Sequence, residues 1–106
     1  MSDRINPALK DDNIAVKAIE IVHGERNAHY GHPIDNHTAT AALWQAFLRK
    51  RFGVLVVVTP RDVCMLNMLQ KICRDAHEPK EDNLVDIAGY AMNAEIVSLP
   101  GNEARE

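Results

Sequence analysis

Apolar residues recur at helical spacing in four segments, and the polar stretches between them set the boundaries. In the first, Ile14, Ala15, Ala18, Ile19 and Val22 form a stripe. Asp11 or Asp12 can cap its start, and Gly24 suits the position just past its end. A second helix is predicted from about Asp35 to Arg51, with Ala39, Ala42, Leu43, Ala46 and Phe47 on one face and Trp44 and Leu48 widening it. Arg49, Lys50 and Arg51 complement the negative end of its dipole, and Gly53 stops it. The third helix has the clearest start: Thr59 as N-cap, Pro60 at the first helical position and Asp62 two residues on, facing free amide hydrogens. It is predicted to run to about His77, with Val63, Leu66, Leu69, Ile72, Cys73 and Ala76 apolar, and Pro79 closes it. The fourth spans about Asp82 to Leu99, ended by Pro100-Gly101. Gly89 inside it costs about 1 kcal/mol relative to Ala, which close helix packing or a ligand against the backbone would justify.

Val54 to Val58 is β-branched and reads as a short strand. With no second strand to pair its backbone groups, a packed connector is the favoured expectation over pairing with a symmetry mate. The predicted fold is therefore all-α, an antiparallel four-helix bundle. Residues 1–106 form a single domain with an ordered core of about 12–99, a polar N-terminal arm and a disordered tail from Asn102. The apolar faces of the second and fourth helices are broad for a bundle of this size. Such width marks a partner surface, so a homodimer or higher homo-oligomer is expected.

A net charge of -3 supplies no global positive field, which argues against nucleic acid as partner. Phosphate chemistry would need a local patch. The N-terminal stretch to Asn13 is polar and of mixed charge, so it reads as no signal peptide. The longest apolar run, Val54 to Val58, is too short to span a membrane. Cys64 and Cys73 lie about 13 Å apart along one helix axis, too far to bridge. They read as buried free thiols in a reducing compartment, and the expected location is the cytoplasm.

Candidate chemistry starts with the thirteen residues from Gly24 to Asn36, rich in side chains that hydrogen-bond, titrate or stack. Loops of that length in small domains are uncommon unless functional or disordered. Arg26, Asn27, Tyr30, His32 and Asn36 are its candidate ligand-binding residues. Packing that pins the first helix to the second is the structural alternative. On the third helix Asn67, Lys71 and Arg74 share one face, opposite the apolar stripe. On the fourth, Asp82, Asp86 and Tyr90 form an equivalent row, flanked by Asn83 and Asn93. If the two helices pack antiparallel, the rows face each other. Lys71 and Arg74 could then hold phosphate oxygens, and Asp82 and Asp86 could hold Mg²⁺, which takes few carboxylates alongside substrate phosphates. Ordinary salt bridges on a solvated face are the competing reading.

His29, His32 and His37 match no zinc spacing. No nucleophile elbow, exposed cysteine nucleophile or Gly-rich phosphate loop is present.

The blocks Gly24-Glu25-Arg26-Asn27, Tyr30-Gly31-His32-Pro33, Leu43-Trp44, Thr59-Pro60, Lys71-Ile72 and Asp82-Asn83-Leu84-Val85-Asp86-Ile87-Ala88-Gly89-Tyr90 resemble a family of small phage- and prophage-encoded domains of unknown function. That resemblance covers roughly residues 14–97 and would place the protein in a bacterial host cell. More loosely, the helical layout is similar to the MazG-like nucleoside triphosphate pyrophosphohydrolases. Those enzymes bind Mg²⁺ through Glu-x-x-Glu and Glu-x-x-Asp helices. Here the matching positions read Asn67-Met68-Leu69-Gln70 and Asn83-Leu84-Val85-Asp86.

The resemblance implies a phage-type protein that binds a nucleotide or related phosphate ligand. If it is a Mg²⁺-dependent (d)NTP pyrophosphohydrolase, Asp82 and Asp86 hold metal with Asp62 contributing, Lys71 and Arg74 neutralise phosphate charge, and Asn67 and Tyr90 line the ligand. The amides at Asn67, Gln70 and Asn83 favour the alternative. In it, a non-catalytic phage protein sequesters a nucleotide or binds a host protein.

Overall fold

The computed structural model of the chain describes residues 5–6, 10–24 and 32–102. Among them are four helices: α1 (Ile14–His23), α2 (Pro33–Phe52), α3 (Pro60–His77) and α4 (Glu81–Ser98). No strand occurs among the described residues. The all-α expectation holds, and several of the helix ends have a local chemical cause.

Asn13, rather than Asp11 or Asp12, caps α1; its Oδ1 accepts from the Val16 amide at 3.0 Å. Helix α2 starts two residues before Asp35. His32 caps it through Nδ1, which accepts from the Ile34 amide at 3.1 Å, and Pro33 follows with its φ already set. At the far end Gly53 adopts φ 70°, a left-handed conformation that costs any residue with a Cβ about 1 kcal/mol. The start of α3 is as predicted, a full capping box: the Asp62 amide donates to Thr59 Oγ1 at 3.1 Å and the Thr59 amide to Asp62 Oδ2 at 2.9 Å. Those bonds from Thr59 hold the Asp62 carboxyl below the usual carboxylate range. A depressed folded value means the cap contributes fully above the ordinary carboxylate pKa and is lost as pH falls through the lowered one. Thr59→Ala should cost about 1 kcal/mol at neutral pH, a loss that urea unfolding would read. The end of α4 is closed by Asn102, whose amide donates to Leu99 O and whose side chain donates to Ile96 O. Asn102 is therefore held by two hydrogen bonds, and the rest of the expected tail, 103–106, lies outside the described residues.

Helices α3 and α4 form an antiparallel hairpin. Asp75 meets Asn83, Lys71 meets Asp86 and Arg61 meets Ser98, so numbers fall on one helix as they rise on the other. Helix α1 lies on α4 in parallel: Lys17 pairs with Glu81 at 2.6 Å, and Val22 sits over Gly89. A Cβ at Gly89 would meet Val22 Cγ2 at 3.5 Å, an ordinary contact, so packing does not demand glycine there. Gly89→Ala should accordingly raise stability by up to about 1 kcal/mol, measurable as a higher Tm. Helix α2 enters beside α4 through His37 and Asn93. Its C-terminal stretch from Ala46 to Phe52 is exposed except for the half-buried Leu48, so it runs out of the bundle.

The orientation of α2 and α3 departs from the amphipathic expectation. The residues of α3 that face inward are Val63, Cys64, Asn67, Met68, Lys71 and Asp75, and the apolar stripe Leu66, Leu69, Ile72 and Cys73 faces out. Leu69 is 60% exposed. On α2 the predicted core face of Ala39, Ala42, Leu43, Ala46 and Phe47 is likewise outward, with Leu43 at 70% and Phe47 at 65% exposure. Broad exposed faces thus lie on α2 and α3 rather than on α2 and α4. Cys64 is buried, whereas Cys73 is exposed, against the expectation for both. Residues 54–57 link α2 to α3 and are exposed, so this connector is not packed; the Val58 amide donates to Gln45 Oε1 at 2.9 Å.

The buried apolar residues among those described are Ala18, Val22, Ile34, Ala41, Val63, Cys64, Val85 and Ala94. None of them is a Leu, Met, Phe or Trp. A core of small side chains is what remains when two helices turn their largest residues away from it.

Candidate functional site

Turning those stripes outward leaves the polar rows of α3 and α4 inside. They make a seam along the hairpin, joined at one end by α2. At its centre Lys71 Nζ and Asp86 Oδ2 meet at 2.8 Å, with only 16% and 19% of their side chains exposed. An ion pair held that far from water is more than a transient surface contact.

Toward the α3–α4 turn, Asp75 Oδ1 accepts from the Lys80 amide at 3.1 Å and from Asn83 Nδ2 at 3.3 Å. Asn83 is buried, and this carboxylate fixes the first turn of α4 against the last turns of α3. In the other direction Tyr90 and Asn93 continue the row from Asp86, at the spacings that keep helical residues on one face. Asn93 and His37 are each 4% exposed, and Asn93 Nδ2 and His37 Nε2 lie within hydrogen-bond distance at 3.3 Å. The His37 ring meets the Tyr90 ring edge-on, with centroids 6.4 Å apart. Asn93 Oδ1 and Thr38 Oγ1 are buried without a hydrogen-bond partner among the described residues. A buried amide oxygen left in that state costs about 1–3 kcal/mol. It is the kind of atom a bound donor would satisfy.

The residues singled out from the sequence are thus distributed unevenly. Lys71, Asp86, Asn67 and Tyr90 come together in the half-buried seam. Arg74 and Asp82 sit at its solvent edge and are exposed. Asn36 is exposed on the first turn of α2, where its carbonyl accepts from Thr40 Oγ1, and it does not enter the seam. His32 is occupied as the α2 cap. Arg26, Asn27 and Tyr30 lie outside the described residues.

Asp62 caps α3 near Arg61 and Ser98, while Asp82 stands beside the opposite end of α3 near Asp75. The thirteen positions from Asp62 to Asp75 rise about 20 Å along the helix. One Mg²⁺ cannot draw on both carboxylates. No group of three His, Cys, Asp or Glu side chains converges among the described residues, so those residues do not fit a two-metal centre. No helix among them is long and apolar enough to cross a membrane.

Sequence reasoning missed Asp75 and the His37–Asn93 contact. Asp75 lies four residues after Lys71, so extending the polar row of α3 by one turn would have found it. His37 and Asn93 are 56 positions apart, and local spacing carries no signal for such a pair.

A family model for a domain of unknown function (DUF6378) matches residues 13–98. The chain is 39% identical to the Gene 55 protein of Mycobacterium phage L5 over 92 residues, covering 86% of this chain and 56% of that protein. It is 36% identical to the Gene 55 protein of Mycobacterium phage D29 over 81 residues, covering 76% of this chain and 50% of that protein. The chain therefore spans about half the length of these curated relatives. No solved structure matches it.

Proposed function

The chain belongs to the DUF6378 family, which it shares with mycobacteriophage Gene 55 proteins, and from the geometry of its seam we propose that it binds a nucleotide or closely related phosphate ligand without hydrolysing it. The observation that carries this reading is the Lys71–Asp86 pair, an ammonium and a carboxylate 2.8 Å apart and half-buried between α3 and α4. A nucleotide offers phosphate acceptors to the one and sugar hydroxyl or exocyclic amine donors to the other. Arg74, one turn beyond Lys71, adds a second cation at the solvent edge, and Asn67 adds an amide on the other side. Tyr90, one turn beyond Asp86, adds a ring that can lie against a base.

Binding rather than turnover follows from the charge count. A two-metal pyrophosphohydrolase needs several carboxylates free to hold cations. The seam holds two half-buried carboxylates, Asp86 and Asp75, and the second is committed to the α3–α4 turn. The MazG-like reaction therefore stands as the competing outcome of the test. Titration calorimetry with individual NTPs and dNTPs, with and without Mg²⁺, should give saturable binding that does not require the metal. Ligand recovered afterwards should be intact. Lys71→Gln should weaken binding at least tenfold. Release of pyrophosphate would replace this reading with the enzymatic one, and absence of binding to any nucleotide would end it.

A further inference from the structure

We infer that a second copy of this chain covers the outward apolar faces of α2 and α3, with the stripe Leu66, Leu69, Ile72 and Cys73 at the centre of the contact. The first ground is the inversion itself. An amphipathic helix in water turns its apolar stripe toward whatever excludes water, yet α3 presents Asn67, Lys71 and Asp75 to the bundle and Leu69 to solvent. The same inversion on α2, through Leu43 and Phe47, makes this a property of adjoining elements rather than of one helix.

The second ground is area. The chain exposes 7977 Å², where a monomer of its 11.8 kDa mass exposes about 5,900 Å². The difference of roughly 2,000 Å² is the most that the outward faces of α2 and α3 could account for, and each chain of an obligate homodimer gives up about 1,000–2,500 Å².

The third ground selects the occupant. A core whose largest fully enclosed side chains are Val63 and Cys64 is small, so a cover that is present whenever the chain is present, and in equal amount, stabilises it best. Another copy of the same chain meets both conditions. An apolar stripe is also self-complementary, as a two-fold interface requires.

Sedimentation equilibrium of the purified chain at micromolar concentration should return twice the 11.8 kDa mass. Cys73 reports the face independently. In a lone chain it is exposed and should react with a maleimide at the rate of a free thiol. In the dimer it should react at least tenfold more slowly. Cys64 is an internal reference, since it is buried and burial pushes its thiol up to about 11. Leu69→Ala, mild enough to leave the helix intact, should raise the dissociation constant at least tenfold. A single-chain mass with native helical circular dichroism would overturn the inference. So would a dimer with a freely reactive Cys73, or a dissociation constant that Leu69→Ala leaves unchanged.

Discussion

Lys71→Met is expected to lower the stability of the fold by about 1–3 kcal/mol, because it takes the ammonium away from a carboxylate set back from water. Methionine keeps the length and apolar stem of the lysine, so the loss reports the charge rather than a cavity. The corresponding fall in Tm is about 5–15 °C for a domain of this size. Asp86→Asn should cost less, since an amide still accepts from Lys71 and the lysine can extend toward solvent. The double variant should fall short of the sum of the two single losses, because neither charge then remains without its counterpart. Losses that simply add would mean the 2.8 Å contact contributes nothing of its own. Because Lys71 also sits at the proposed ligand site, binding is to be read well below the lowered Tm.

The second large effect is expected at Val63, which is fully enclosed at 0% exposure. Val63→Ala removes two methyl groups where the surroundings have little room to collapse, for a loss of about 2–3 kcal/mol. In a core of small residues that is a large share of the 5–15 kcal/mol typical of whole domains. Chemical denaturation should show a lower midpoint with an unchanged slope. A loss below about 0.5 kcal/mol would mean that Val63 is not packed as described.

Much of the fold was legible because helix boundaries are written in local chemistry. Thr59, Pro60 and Asp62 identify the start of α3 by the bonds they make, and Gly53 ends α2 by the φ it adopts. Where the capping residue was unusual, the boundary moved: His32 is rarely a first choice as an N-cap, and α2 begins two residues earlier for that reason. Periodicity located the stripe of Leu66, Leu69 and Ile72, but it reports only that a face is apolar. Which surface covers that face depends on packing partners, and here the bundle itself took the polar side.

The candidate site was legible to the same degree. Placing Asn67 and Lys71 opposite Asp86 and Tyr90 followed from helical spacing plus a short turn, and the Lys71–Asp86 contact has that geometry. Asp62 is different. Its place beside the Thr59 cap was plain from local spacing, but its distance from Asp82 emerges only from the packed hairpin. The buried His37–Asn93 contact joins residues that the chain separates widely, and only tertiary structure brings them together.

The most direct test of the seam as a ligand site is a residue-resolved NMR titration of the isotope-labelled protein with nucleotides. The account predicts saturable shifts at Asn67, Lys71, Asp86, Tyr90 and Asn93. The exposed basic residues Arg49, Lys50 and Arg51 at the end of α2 serve as a control for non-specific phosphate attraction. Shifts confined to those three residues, or none for any nucleotide, would contradict the seam as the binding site.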